Sequence, residues 1–129
     1  FGVSPQGNIE NDLGMGADVY DWGSIQGYVD YLCPQIYVSF DHALLPYDQT
    51  AQQWRALTTN PNVKLYIGLA VYKAGSDADE GTWESANDIL KQQIEYGRNL
   101  GADGFMLYAY DYLVNDQTKE EIENVMKII

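Results

Sequence analysis

The chain has 129 residues, 46% of them hydrophobic and 20% charged, the make-up of one globular domain over residues 1–129 rather than a disordered tail. Nineteen acidic residues against seven basic ones leave a formal charge of -12, a field that repels phosphate backbones and anionic lipid, so nucleic acid is not an expected partner. One Cys and one His cannot build a disulfide framework or a Cys/His zinc site, and no apolar run is long enough for membrane insertion.

Residues 1–4 read as a strand, and the chain opens so directly on it that the expectation is a piece of something longer. A Gly- and Asp-rich loop follows, then a weak helix over 18–27 and a second strand over 29–39. The next helix, 46–58, carries Tyr47, Ala51, Trp54 and Leu57 on one side at three- and four-residue steps, and Asn60-Pro61-Asn62 ends it. A third strand covers 63–72. Trp83, Ala86, Leu90, Ile94 and Gly97 then share one helical face, with Gly101 at the C-terminal cap. After a fourth strand over 104–110, Thr118 and Glu121 read as a capping box for a last helix whose apolar face is Ile122, Val125, Met126 and Ile129.

Strands alternating with helices predict an α/β fold with parallel strands and right-handed crossovers. Strand parity then separates an open two-sided sheet from a barrel wall. Leu32, Pro34, Ile36 and Val38 are apolar, while Cys33, Gln35, Tyr37 and Ser39 are small or polar. In the third strand Leu65, Ile67, Leu69 and Val71 oppose Tyr66, Gly68, Ala70 and Tyr72. A sheet covered by helices on both faces would be apolar at both parities. The pattern therefore predicts half of a (β/α)8 TIM barrel: four parallel strands alternating with four helices, one face under helices and the other facing a mixed interior.

Barrel enzymes work at the C-terminal ends of their strands, and tyrosines crowd those positions here: Tyr37, Tyr72, Tyr108, Tyr110 and Tyr112. A Tyr ring pairs a flat apolar face with a hydroxyl, which suits a sugar's CH patch and its rim of hydroxyls, though packing under loops explains any one of them as well. Gln35, on the same parity as Tyr37, must find hydrogen-bond partners in a neighbouring strand, a loop or a ligand. Lys73 reads as a solvated loop charge, with a substrate or the acids of Asp77-Ala78-Asp79-Glu80 as alternative partners. That acidic run lacks the spacing of a calcium loop, so neither metal nor other cofactor is expected. Hydrolysis of a glycosidic bond ordinarily uses two carboxyl groups roughly 5 to 9.5 Å apart. Only Asp111 stands directly at a strand end; Glu10, Asp12, Asp41 and Asp48 read as loop acids, and His42 has no nucleophile beside it. Cys33, well before the strand tip, reads as a buried, reduced thiol without a catalytic role.

Phe1-Gly2-Val3-Ser4-Pro5, then Val29-Asp30-Tyr31-Leu32-Cys33-Pro34-Gln35-Ile36-Tyr37, then Leu65-Tyr66-Ile67-Gly68 through Tyr72-Lys73 occur in one order. In that order they resemble the C-terminal half of the bacterial glycosyl-hydrolase-like family ten. The resemblance implies a carbohydrate-active barrel in a secreted or cell-envelope, hence extracytoplasmic, protein. It also implies that the catalytic acids lie in an N-terminal half outside these 129 residues. Gln35 with Tyr37 is similar to the sixth strand of chitinase-type barrels, where an inward Tyr follows two residues after an inward polar or Met side chain, and Gly104-Phe105-Met106-Leu107-Tyr108 to their eighth; these likenesses imply that Gln35, Tyr37 and Tyr108 face inward. Departures are Gln6, Ile9, Val38 and Gln53, where that family tends to carry aromatics.

The functional expectation is thus the C-terminal half of a sugar-binding cleft in a glycoside hydrolase acting on a poly- or oligosaccharide. Gln35, Tyr37, Tyr72, Tyr108 and Asp111 are its candidate substrate-binding residues, and the catalytic residues are unassigned. The alternative is a non-catalytic glycan-binding or scaffold protein that kept the barrel. On its own the chain is expected to be inactive and to associate with itself, because its inner face and two strand edges lack the other half of the barrel.

Overall fold

The computed structural model describes residues 1–129. Four strands, β1 (Gly2–Val3), β2 (Tyr31–Leu32), β3 (Lys64–Ala70) and β4 (Gly104–Tyr108), form one parallel sheet in the order β1-β2-β3-β4. Five helices connect and follow them: α1 (Ile9–Gly14), α2 (Val19–Ser24), α3 (Tyr47–Leu57), α4 (Ile89–Asn99) and α5 (Lys119–Met126). A strand order that never reverses makes every right-handed crossover fall on the same face, so all helices gather on one side. The fold is α/β, one half of a (β/α)8 barrel.

Burial follows the predicted parity for the apolar set up to Val71, whereas Ser39, Gly68 and Ala70 of the other parity are buried too, and Val38 is only half-buried. Leu32, Ile36, Leu65, Ile67, Leu69 and Val71 are buried, in one apolar cluster with Ala51, Trp54, Leu57, Leu90 and Ile94 of the helices. On the opposite face Met106 and Tyr108 are 52% and 54% exposed, and Gln35 is exposed too. Tyr31 and Tyr66 meet edge-to-face there, with ring centroids 5.5 Å apart. Cys33 belongs to that parity but is buried as a free thiol, and burial pushes its pKa up. No helix is long and apolar enough to cross a membrane.

Several elements are shorter than the sequence pattern predicts. The ladder of β2 stops at Leu32 because Pro34 has no N–H to give, and pairing resumes only as single bridges at Gln35, to Gln6 and to Gly68. Val71–Lys73 is a 3-10 turn, so Tyr72 sits on a turn rather than in the strand. The residues read as a Gly- and Asp-rich loop contain α1, begun by Asn8, whose side chain accepts from the Asn11 N–H at 3.1 Å.

The predicted third helix divides. Trp83 lies in a separate 3-10 segment (Asp79–Glu84), and α4 begins only at Ile89. The reason is tertiary. Glu121, placed by α5, accepts from the N–H groups of Ile89 and Leu90 at 3.0 and 2.9 Å and so caps α4. The capping box predicted for α5 does not form: the Thr118 hydroxyl donates to the carbonyls of Tyr112 and Asn115 instead. Of the apolar face expected on α5, Val125 is buried and Met126 and Ile129 are exposed. Gly101, at φ 85°, follows the C-terminal cap of α4 as expected.

Candidate functional site

The C-terminal ends of the strands gather four of the five candidate residues. The single bridges at Gln35 hold it between Gln6 and Gly68, and its own N–H donates to the Pro5 carbonyl at 2.9 Å. Its side-chain amide donates to the Ser4 carbonyl at 3.1 Å, while the Ser4 hydroxyl donates to the Cys33 carbonyl at 2.8 Å. The amide nitrogen of Gln35 is thus taken up by a neighbouring loop. Its Oε1 has no protein partner and stays available as an acceptor.

Beyond Gln35 three tyrosines converge. Tyr37 and Tyr108 stack with centroids 5.7 Å apart and planes 20° apart, and Tyr72 stands edge-on to both at 5.9 and 6.0 Å. Stacked and edge-to-face contacts are both favourable arrangements of the ring quadrupoles. Burial above all, then the neighbouring Cys33, Tyr72 and Tyr108, pushes the Tyr37 phenol up to about 12. Tyr72 is raised as well, by burial and then by Asp79 and Tyr108. Both phenols are therefore hydrogen-bond donors at neutral pH, not bases.

Lys73 is not a solvated charge. Its ammonium donates to the Tyr37 carbonyl at 2.7 Å and to both carboxylate oxygens of Asp79 at 3.2 Å, with side-chain exposures of 18% and 14% for the pair. Trp83 Nε1 donates to the same carboxylate at 2.8 Å. The Asp79 carboxylate is thereby committed to Lys73 and Trp83, and the pair ties the β3 turn to the strand end carrying Tyr37. No group of three or more His, Cys, Asp or Glu side chains is arranged to hold a metal ion. His42 serves its own loop, its Nδ1 accepting from the N–H groups of Leu44 and Leu45 at 3.3 and 3.0 Å.

Asp111 lies apart from this group. It is exposed on the 3-10 turn Tyr110–Tyr112 and bonds to none of the other four residues. Asp12 is no loop acid but a buried residue of α1, one oxygen accepting from the Gln6 N–H at 3.1 Å and the other unpartnered. Burial raises its pKa.

A cleft of about 260 Å³ opens beside Gln35 and Tyr37, with Gln6, Asn8 and Asn11 on its far side. Gly7 forms its back wall. A Cβ there would come within 2.6 Å of the Gln35 carbonyl oxygen, so only glycine lets the two segments meet. Trp54 fixes the same segment by donating from Nε1 to the Gly7 carbonyl at 2.9 Å. Gln6, Asn8 and Asn11 are not among the residues the sequence singles out as candidate substrate-binding residues. The signal available was Asn8 ahead of Ile9 with Glu10 and Asp12 in the first turn, an N-terminal helix pattern.

Residues 1–85 match the family described as Glycosyl hydrolase-like 10. The chain belongs to that family. Among curated relatives, the protein named Glycosyl hydrolase DigH from Escherichia coli is 35% identical over 141 residues, covering 95% of this chain and 32% of the relative. DigH from Shigella flexneri is 34% identical over the same share. Glycosyl hydrolase YngK from Bacillus subtilis is 32% identical over 99 residues, covering 77% of this chain and 19% of YngK. The chain thus spans about a third of the length of DigH. Of the candidate residues, Gln35, Tyr37 and Tyr72 fall inside the stretch matched to the Glycosyl hydrolase-like 10 family, and Tyr108 and Asp111 lie beyond it.

Proposed function

We propose that this chain supplies part of a carbohydrate-binding cleft in a glycoside-hydrolase-type barrel acting on a poly- or oligosaccharide. The observation that carries the reading is the half-exposed Tyr108, stacked on Tyr37, which lines one cleft with Gln35 at the C-terminal ends of parallel strands. An aromatic face beside an open acceptor is what a pyranose ring requires for CH contact and hydroxyl recognition. Tyr37 and Tyr72, neutral at physiological pH, supply phenol donors, and Asp111 accepts from hydroxyls at the rim. The carboxyl pair that cleaves the bond comes from strands outside these 129 residues, which also cover the exposed inner face. The setting is extracytoplasmic, on the strength of the family resemblance.

The test uses the full-length protein and a panel of soluble oligosaccharides in calorimetric titration. Tyr108→Ala and Gln35→Ala are expected to weaken binding at least tenfold for any oligosaccharide that binds. Unchanged affinity in both variants overturns the reading.

A non-catalytic glycan-binding role is the second reading, favoured by the engagement of the Asp79 carboxylate with Lys73 and Trp83, which leaves that acid tied up in the structure. Product analysis on the bound oligosaccharide separates the two: cleavage supports the hydrolase, and binding without cleavage supports the alternative.

A further inference from the structure

We infer that the cleft between Gln6, Asn8, Asn11 and Gln35 is a subsite for one uncharged sugar ring, next to the tyrosine cluster and sharing Tyr37 with it; the inference rests on the carbohydrate reading above. The cleft is lined by four primary amides and by no charged side chain, although the chain carries a formal charge of -12. Within it the hydrogen-bonding capacity is only partly used. Asn11 Nδ2 donates to Gln6 Oε1 at 3.4 Å, and Asn8 Oδ1 accepts from the Asn11 N–H at 3.1 Å. That leaves the amide nitrogens of Gln6 and Asn8 as donors, and Oδ1 of Asn11 and Oε1 of Gln35 as acceptors.

Free amide donors and acceptors side by side, without a fixed charge, match a ligand whose groups both donate and accept, which is the property of a hydroxyl. A carboxylate or phosphate offers acceptors only, would meet no cation here, and would enter the field of an acidic protein. Ile36, Tyr37, Val38 and Leu45 supply the apolar part of the lining. At about 260 Å³ the space lies just below the usual range for drug-sized ligands, so it admits a single ring. Tyr37 belongs to both this cleft and the tyrosine cluster, so a chain of sugars can pass from one to the other along its ring.

The inference is tested on the full-length protein with Gln6→Leu, Asn11→Leu and Asn8→Ser, the last keeping a side-chain oxygen to cap α1. The probes are cello- and chito-oligosaccharides of two to six units and an oligoglucuronide of matching length. Removing one neutral hydrogen bond is expected to weaken the longer neutral oligosaccharides about three- to tenfold and leave the disaccharides unchanged. The oligoglucuronide is expected to bind more weakly than its neutral counterpart, with a difference these variants do not remove. Equal affinities in wild type and all three variants, with Tyr108→Ala still impairing binding, overturn the subsite and leave the carbohydrate reading standing. No binding of any probe to the wild type overturns both, and tighter binding of the oligoglucuronide overturns the neutral-sugar assignment.

Discussion

A lysine three residues past the end of β3 looks like an ordinary loop charge until its surroundings are known. Lys73 and Asp79 are both largely buried and hold each other, with Trp83 and the Tyr37 carbonyl as further partners. Removing one member of such a pair leaves the other charge buried without compensation, which costs far more than the pair itself contributes. Lys73→Met is therefore expected to destabilise the protein by about 3 kcal/mol, the lower end for buried pairs given the residual exposure. Asp79→Leu added to it should recover part of the loss, as read by urea unfolding. Tyr37 gives a second expectation at this scale. Its folded-state pKa lies near 12, above the ordinary 10 for a phenol. Its contribution to stability is thus full below pH 10 and lost as pH rises toward 12. Tyr37→Phe should flatten the fall in stability across that window, measured by unfolding at pH 9, 10.5 and 12. If the two proteins lose stability in parallel, the phenol is not buried as described.

The element whose behaviour depends most on another element is α4. Its first turn is capped by Glu121 from α5, so two segments far apart in sequence rise or fall in stability together. Glu121→Ala leaves two N–H groups buried without acceptors, and an orphaned buried donor costs roughly 1–3 kcal/mol. The expected loss is about 3 kcal/mol, with hydrogen exchange at Ile89 and Leu90 accelerated most. Burial raises the pKa of Glu121, and the two N–H donors offset this only in part. The sign follows: the stabilising contribution is full at acid pH and declines as pH rises through the shifted pKa. The stability difference between wild type and Glu121→Ala should accordingly be larger at pH 4.5 than at pH 7.5. In α1 and the loop before it, Gly7→Ala forces a methyl group within 2.6 Å of the Gln35 carbonyl oxygen. About 1–3 kcal/mol of destabilisation is expected from such overpacking.

At the scale of the whole molecule, one face of the sheet is closed by helices and the other is open. Met106 and Tyr108 are more than half exposed, and β1 and β4 each have a neighbour on one side only. Exposed strand edges and exposed aromatics favour association. Residues 1–129 produced alone are expected to pair at micromolar concentration, the two-fold arrangement being the commonest closed solution. The charge of -12 opposes this, so dissociation should be favoured at low salt, where the screening length increases. Sedimentation velocity at two ionic strengths decides it. A monomer at every concentration and salt would mean that the inner face is stable in water.

Which side of β2 and β3 packs under the helices could be read from the sequence, because alternation at period two is local and the apolar side must go somewhere. The buried side of α3 was legible for the same reason: Tyr47, Ala51, Trp54 and Leu57 recur at helical spacing, and all four are buried. The strand-end positions of Gln35, Tyr37 and Tyr108 followed from the same alternation together with the order of elements. Tertiary structure decided what spacing cannot express. Glu121 has the offset of a capping box with Thr118, yet the nearest unpaired N–H groups in space belong to α4. Lys73 has the offset of a loop charge, yet folding brings Asp79 and the Tyr37 carbonyl to its ammonium. The amide cleft joins residues 6–11 to residue 35 across a gap that no local pattern spans. A side chain's period reports the face on which it lies, whereas its partner is chosen by which polar groups of distant segments folding leaves unsatisfied nearby.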